Sequence, residues 1–147
     1  MRDRLQSGRR LALKTIFSGT PGALLRMEFA LLAKLDHPPL VRVHDLGRVT
    51  EIGPGEGPAP GAAFFTQDLV AGEPSHRWAA ALDPGERADR VARVGVAVAR
   101  ALAELHDKGL LHRDIKPSNI LVGVEDDQGE AEVKLIDLGL SRRSGGA

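Results

Sequence analysis

Apolar positions along the 147 residues fall into alternating runs, helical stripes and sharp breaks. They predict a chain of mixed α and β structure. Residues 2–8 read as the end of a strand plus a turn, Arg10-Leu11-Ala12-Leu13-Lys14-Thr15-Ile16-Phe17 alternates as a strand, and 18–22 is a turn. Thr20-Pro21 offers a cap followed by a proline at the first helical position, predicting a helix over 23–35. Its apolar stripe is Leu24, Leu31, Leu32 and Leu35, and Glu28 falls on the same face. A carboxylate there is costly unless a cation meets it. Lys14 is the nearest candidate. A lone strand lysine more often lays its stem on the sheet with its head in water, but here each oddity accounts for the other.

Asp36-His37-Pro38-Pro39 ends that helix, and 40–46 reads as a strand. Residues 47–61, rich in Gly and Pro, read as a flexible loop. Residues 62–70 are apolar enough for a central strand, which Ala71-Gly72-Glu73-Pro74 breaks. A short helix over 75–82 packs through Trp78. The clearest helix spans 86–106, with a stripe of Val91, Val94, Val98, Ala101, Leu102 and Leu105, and Gly109 just past its end. Ile120-Leu121-Val122-Gly123-Val124 and Glu132-Val133-Lys134-Leu135-Ile136 read as a hairpin around an acidic turn containing Gly129. Pairing Val124 with Glu132 puts Asn119 opposite Asp137. The tail over 141–147 is polar, glycine-rich and expected to fray.

Composition narrows the function classes. Equal numbers of acidic and basic residues give a formal net charge of zero, so no electrostatic case exists for nucleic acid or an anionic membrane. There are no cysteines, which excludes disulfides and thiolate metal sites and favours a reducing compartment. No apolar run approaches membrane-spanning length, and Met1-Arg2-Asp3-Arg4 lacks a signal-peptide core. The expectation is a cytoplasmic chain without a membrane segment.

One stretch concentrates the chemistry. Leu110-Leu111-His112-Arg113-Asp114-Ile115-Lys116-Pro117-Ser118-Asn119-Ile120-Leu121 packs five polar functional side chains between apolar pairs. That pattern suits a rigid polar loop held between buried segments, the usual setting for catalytic residues. His112-Arg113-Asp114 with Lys116 and Asn119 resembles the catalytic loop of protein kinases, His-Arg-Asp-x-Lys-x-x-Asn. Upstream, Leu11-Ala12-Leu13-Lys14 resembles the kinase strand Val-Ala-Ile-Lys. Downstream, Asp137-Leu138-Gly139 resembles Asp-Phe-Gly. The loop is the specific motif. The other two add weight by their order and spacing.

The resemblance implies roles at the matching positions. Asp114 would accept the proton of the substrate hydroxyl, Lys116 would neutralise the γ-phosphate, and Lys14, held by Glu28, would grip the α- and β-phosphates of ATP. Asn119 and Asp137 would bind Mg2+. Main-chain groups of Asp68 and Val70 would meet the adenine edge, with Ala12 and Leu121 on its two faces and Gln67 as gatekeeper. Leu32, His112 and Leu138 match positions that stack into a hydrophobic column. Lys116 points to the serine/threonine class. Val41-Arg42-Val43-His44-Asp45-Leu46-Gly47 and Phe64-Phe65-Thr66 resemble bacterial kinases of that class.

The implied fold is α+β, a protein-kinase-like bilobal fold that is incomplete, with a small antiparallel sheet plus one helix and then the first part of a helical lobe. Residues 1–70 would form a partial N-lobe and 71–147 a partial C-lobe. The family's glycine-rich loop has no counterpart upstream of Lys14, and the sequence reaches Ala147 shortly after Gly139, before any activation segment. The isolated chain is therefore expected to be poorly soluble, to bind ATP weakly at best and to transfer phosphate negligibly. The implied function is a serine/threonine protein kinase domain using ATP and Mg2+ on a protein Ser/Thr hydroxyl. The alternatives are a kinase-like module that binds nucleotide or a partner without catalysis, and a small-molecule phosphotransferase of related fold, which Lys116-Pro117-Ser118-Asn119 disfavours.

Overall fold

The structure is a computed structural model that describes residues 10–15, 22–50, 58–126, 129–137 and 141–142. It divides into two compact units, one of residues 1–34 and 42–69 and one of residues 35–41 and 70–147. Each has its own sheet and its own core.

In the first unit, β1 (Leu11–Thr15), β2 (Val43–Arg48) and β3 (Ala63–Asp68) form an antiparallel sheet in the order β1-β3-β2. The expected central strand is β3. Its aromatic and β-branched residues suit a pleated surface bonded on both edges, and Phe65 is fully buried. Helix α1 (Gly22–Leu32) lays Leu25, Leu31 and Leu32 into this core, with the Phe29 ring 6.0 Å from that of Phe65. The helix ends three residues earlier than expected, in a turn at Ala33 and Lys34. Thr20 and Pro21, expected to cap it, and the side chain of Leu24 lie outside the described residues.

Strand β2 starts later than expected and runs past Gly47, where the sequence suggested a loop. A Cβ on Gly47 would lie 2.9 Å from the Phe64 ring, so this position accepts only glycine without displacing an aromatic side chain. The Val49 N–H donates to Ala62 O at 2.9 Å, and the Gly61 N–H to Val49 O at 2.7 Å. These bonds continue the β2–β3 hairpin beyond its strands. Because Phe65 is the hub of this unit, Phe65→Ala is expected to destabilise it by about 3–5 kcal/mol. Denaturant unfolding checks this; a loss under about 1 kcal/mol would contradict the packing.

The second unit starts with 35–41, which the sequence reading assigned to the preceding region. Leu40 forms a parallel bridge with Leu135, the Leu135 N–H donates to Pro39 O at 2.7 Å, and Lys134 Nζ bonds Pro38 O. The Pro38-Pro39 pair cannot continue a helix, so the chain leaves α1 and docks on this edge instead. The remaining elements are β4 (Glu73–Pro74), α2 (Ser75–Ala81), α3 (Pro84–Asp107), β5 (Leu110–Leu111), β6 (Ile120–Glu125), β7 (Ala131–Leu135) and β8 (Ser141–Arg142).

Asp83 caps α3, its side chain accepting the Gly85 N–H at 2.8 Å with Pro84 at the first position. The helix buries Val94, Val98, Ala101 and Leu105, whereas Val91, one turn earlier, is exposed. Gly109, at φ +70°, ends it in the left-handed conformation that glycine tolerates. β4 reads as a break in sequence but pairs Glu73 with Val122 and Pro74 with Leu121. The expected frayed tail contributes β8, which pairs Leu110 with Arg142 and Leu111 with Ser141; 143–147 lie outside the described residues.

The hairpin register departs from expectation by one residue at its open end. Near the turn Glu125 faces Ala131, but past an irregularity between Val122 and Glu125 the pairs are Val122–Val133, Leu121–Lys134 and Ile120–Leu135. The bulge absorbs one residue of β6, so Asn119 comes opposite Ile136 rather than Asp137. The Ile136 N–H donates to Asn119 O at 2.9 Å. A single inserted residue leaves no mark in the alternation of so short a strand.

Candidate active site

The polar loop is built between β5 and β6. Leu110 is buried in β5, and the following His112 is only 2% exposed, so the chain is pinned before it turns outward. Arg113 makes the turn at φ +64°, a left-handed conformation uncommon outside glycine and a frequent mark of functional loops. The Asp114 N–H then donates to His112 Nδ1 at 3.2 Å. At the far end, Pro117–Asn119 form one 3-10 turn in which the Asn119 N–H donates to Lys116 O at 2.9 Å. Ser75 Oγ, at the start of α2, donates to Pro117 O at 3.1 Å.

Between these anchors, Asp114, Lys116 and Asn119 meet. Lys116 Nζ donates to Asp114 Oδ2 at 2.8 Å, and Asn119 Nδ2 donates to the same oxygen at 2.9 Å. Asn119 Nδ2 also bonds the Asp114 carbonyl at 2.9 Å, and Asn119 is buried at 4% exposure. Both donors hold the Asp114 carboxyl below the usual aspartate range, Lys116 most strongly and Asn119 next. The group is therefore ionised at neutral pH while about half exposed. Asp137 follows Ile136 at φ +54°, one residue beyond the strand pair that Asn119 makes. Leu138 and Gly139 lie outside the described residues.

The buried imidazole of His112 titrates below its ordinary range because burial disfavours the cation, against smaller opposing effects from its own backbone, Asp114 and Asp137. It is neutral at pH 7. With Nδ1 accepting, the ring hydrogen lies on Nε2, which has no partner among the described residues.

In the first unit, Lys14 and Glu28 form the expected pair, Nζ to Oε1 at 2.6 Å. The register places Lys14 opposite Phe65, and its ammonium lies 5.7 Å from that ring's centroid. Ala12 faces Gln67 across the same ladder, and Asp68 is the last residue of β3. Val70 and Leu121 belong to the second unit, where Leu121 faces Lys134 and Pro74 across β6. The sequence reading missed His44, Asp45 and Thr66: His44 Nε2 lies 2.8 Å from Asp68 Oδ1, and Thr66 Oγ1 accepts the Asp45 N–H at 3.1 Å. It also missed Ser75. Polar residues inside strands carry no periodic signal that names their partners.

A family model described as protein kinase domain matches residues 4–146. The chain belongs to the protein kinase domain family. The serine/threonine-protein kinase PknA of Mycobacterium tuberculosis is 33% identical over 143 residues, 92% of this chain and 30% of that protein. The DNA damage-responsive serine/threonine-protein kinase RqkA of Deinococcus radiodurans is 36% identical over 138 residues, 90% of this chain and 18% of its own. The serine/threonine-protein kinase pkn3 of Myxococcus xanthus is 31% identical, covering 82% of this chain and 20% of that protein. The chain thus spans less than a third of each relative, and all three are bacterial.

Within this kinase domain, the two residues expected to bind metal can be judged by the chemistry of their donor atoms. Asn119 spends its Nδ2 on two bonds to Asp114, so its remaining polar atom is the carbonyl oxygen. That oxygen and the Asp137 carboxylate are hard donors of the kind magnesium prefers. A cavity lined by Trp78, Arg90, Arg93, Glu125 and Glu130 contains none of these residues. Its cations are committed to carboxylates, Arg90 to Glu86 and Glu125, and Arg93 to Asp89 and Glu130.

Proposed function

We propose that this kinase domain transfers the γ-phosphoryl group of ATP to serine or threonine hydroxyls of proteins. The observation that carries the reading is the Asp114 carboxylate, ionised and half exposed, with Lys116 and Asn119 both bonded to Oδ2. With that oxygen engaged, Oδ1 is the acceptor for a substrate hydroxyl, which it orients and relieves of its proton as the oxygen attacks phosphorus. Lys116 offsets charge on the transferred group. Lys14, held by Glu28, meets the upstream phosphates. Asn119 Oδ1 and the Asp137 carboxylate hold magnesium. Bound with ATP, magnesium offsets the phosphate charge that builds in the transition state. Main-chain groups of Asp68 and Val70 take the adenine edge, and Ala12 and Leu121 take its faces.

Lys116 and the serine/threonine class of the relatives support serine and threonine as acceptors. Among the described residues no helix is long and apolar enough to cross a membrane. The absence of cysteine suits a reducing compartment, which supports a cytoplasmic domain.

The test uses the native protein that carries this chain, γ-labelled ATP and a generic protein substrate. Label is expected on serine or threonine, and chelation of magnesium is expected to reduce transfer to background. Asp137→Ala is expected to raise the magnesium concentration needed for half-maximal rate by at least about tenfold, as loss of a ligand-shell group does. Label on tyrosine alone, or transfer that persists under chelation, would overturn the reading.

A further inference from the structure

We infer that His44 is a positioning residue for nucleotide binding, acting through Asp68. The inference rests on the reading of Asp68 as the residue whose main chain meets the adenine edge. His44 Nε2 and Asp68 Oδ1 are 2.8 Å apart, with both side chains mostly buried. On β3, Thr66 and Asp68 are two residues apart and so share one face of the sheet. On β2, His44 and Asp45 are adjacent, and a regular strand would send them to opposite faces. Both nonetheless engage that one face: His44 bonds Asp68, and Asp45 bonds Thr66 through its N–H at 3.1 Å and its carboxylate at 3.4 Å.

The cause lies in the register. Val43 faces Gln67 but Leu46 faces Phe65, so β2 carries one residue more than β3 across this interval. Such a bulge re-aims side chains, and bulges concentrate beside functional sites. This one brings an imidazole to the carboxylate that terminates β3, while the Asp68 N–H donates to Arg42 O at 2.9 Å. Asp68 is therefore tied to β2 through main chain and side chain together. The side-chain tie fixes the last residue of the strand before the chain leaves the sheet. The tie acts on the residue read as meeting the adenine edge, so its effect falls on recognition of the base.

The experiment measures binding of MgATP and of magnesium tripolyphosphate to the native protein that carries this chain and to its variants. His44→Ala is expected to weaken MgATP by about fivefold to tenfold, the factor of one part-buried hydrogen bond, and to leave tripolyphosphate unchanged. His44→Gln, which keeps a donor, is expected to restore most of the affinity. Asp68→Ala removes the same bond from the other side and covers the case in which His44→Ala fails to fold. The double variant is expected to lose no more than Asp68→Ala alone. Weakening of both ligands alike, or of neither, overturns the inference and leaves the site reading standing. A native chain that binds tripolyphosphate and ATP equally, or binds neither, overturns that reading as well.

Discussion

Replacing Asp114 with alanine is expected to lower kcat for phosphoryl transfer by a factor of about 10²–10⁴, the range for removal of a positioned general base. The KM for ATP should change little, because Asp114 acts on the hydroxyl and not on the nucleotide. A fall in kcat and kcat/KM together is the signature of an interaction made in the transition state. Asp114→Asn is the sharper variant. It preserves the side-chain shape and an acceptor for Lys116 and Asn119, which bond Oδ2 at 2.8 and 2.9 Å, while removing the charge and the basicity. Steady-state kinetics of the native protein decide the matter. A variant that retains kcat within tenfold of the native value removes Asp114 from the proposed role.

The pH dependence has a definite direction. Lys116, and after it Asn119, hold the Asp114 carboxyl below its ordinary value of 3.8. Its ionised form therefore persists through the whole neutral range, and any acid limb due to Asp114 must fall below that value. The linkage sign agrees: a depressed folded-state pKa stabilises the fold above the unfolded value, and the contribution is lost as pH falls through the folded one. An acid limb near neutrality in the rate profile must then come from another group.

Lys14→Ala is expected to weaken ATP binding roughly ten- to hundredfold, since a charge-assisted hydrogen bond contributes about 1.5–3 kcal/mol and about 1.4 kcal/mol is a factor of ten. Lys14→Arg should not rescue it, because a planar guanidinium does not replace a compact ammonium held 2.6 Å from Glu28. Glu28→Gln should have the smaller effect on affinity, for Glu28 acts by holding Lys14. Stability should move by no more than about 1 kcal/mol in each case, because partly exposed ion pairs contribute little. Nucleotide titration of each variant provides the measurement. Unchanged affinity in Lys14→Ala would show that the ion pair serves the first unit's packing alone.

Much of the candidate site was legible along the chain because its residues are close in sequence. Asp114, Lys116 and Asn119 lie within six positions, and a loop that short between buried Leu110 and Val122 has few ways to keep them apart. The Lys14–Glu28 pair was legible for a different reason: a charge on each of two apolar faces demands a partner, and few were near. The hairpin register was misjudged because the pairing was extended from the turn as though β6 were regular. β4 was missed because a strand of two residues is decided by the edge it meets, and Gly72 is the residue that lets the backbone come close to Val122.

The sequence by itself determined most of the longer elements, the central place of β3, a long helix over 86–106 and the position of the polar loop. These follow from periodicity and turn chemistry, which act over a few residues. Tertiary structure alone decided where the chain divides, sending 35–41 to the second unit through Leu40 and Leu135. It also decided which oxygen of Asp114 is engaged, the strand register next to Asn119, and the meeting of His44 with Asp68. Apart from the local bonds to Asp114, each of these depends on a bulge, a bridge or a bond between residues distant in sequence. Their free energy is realised only once both partners are held, so no local pattern announces them.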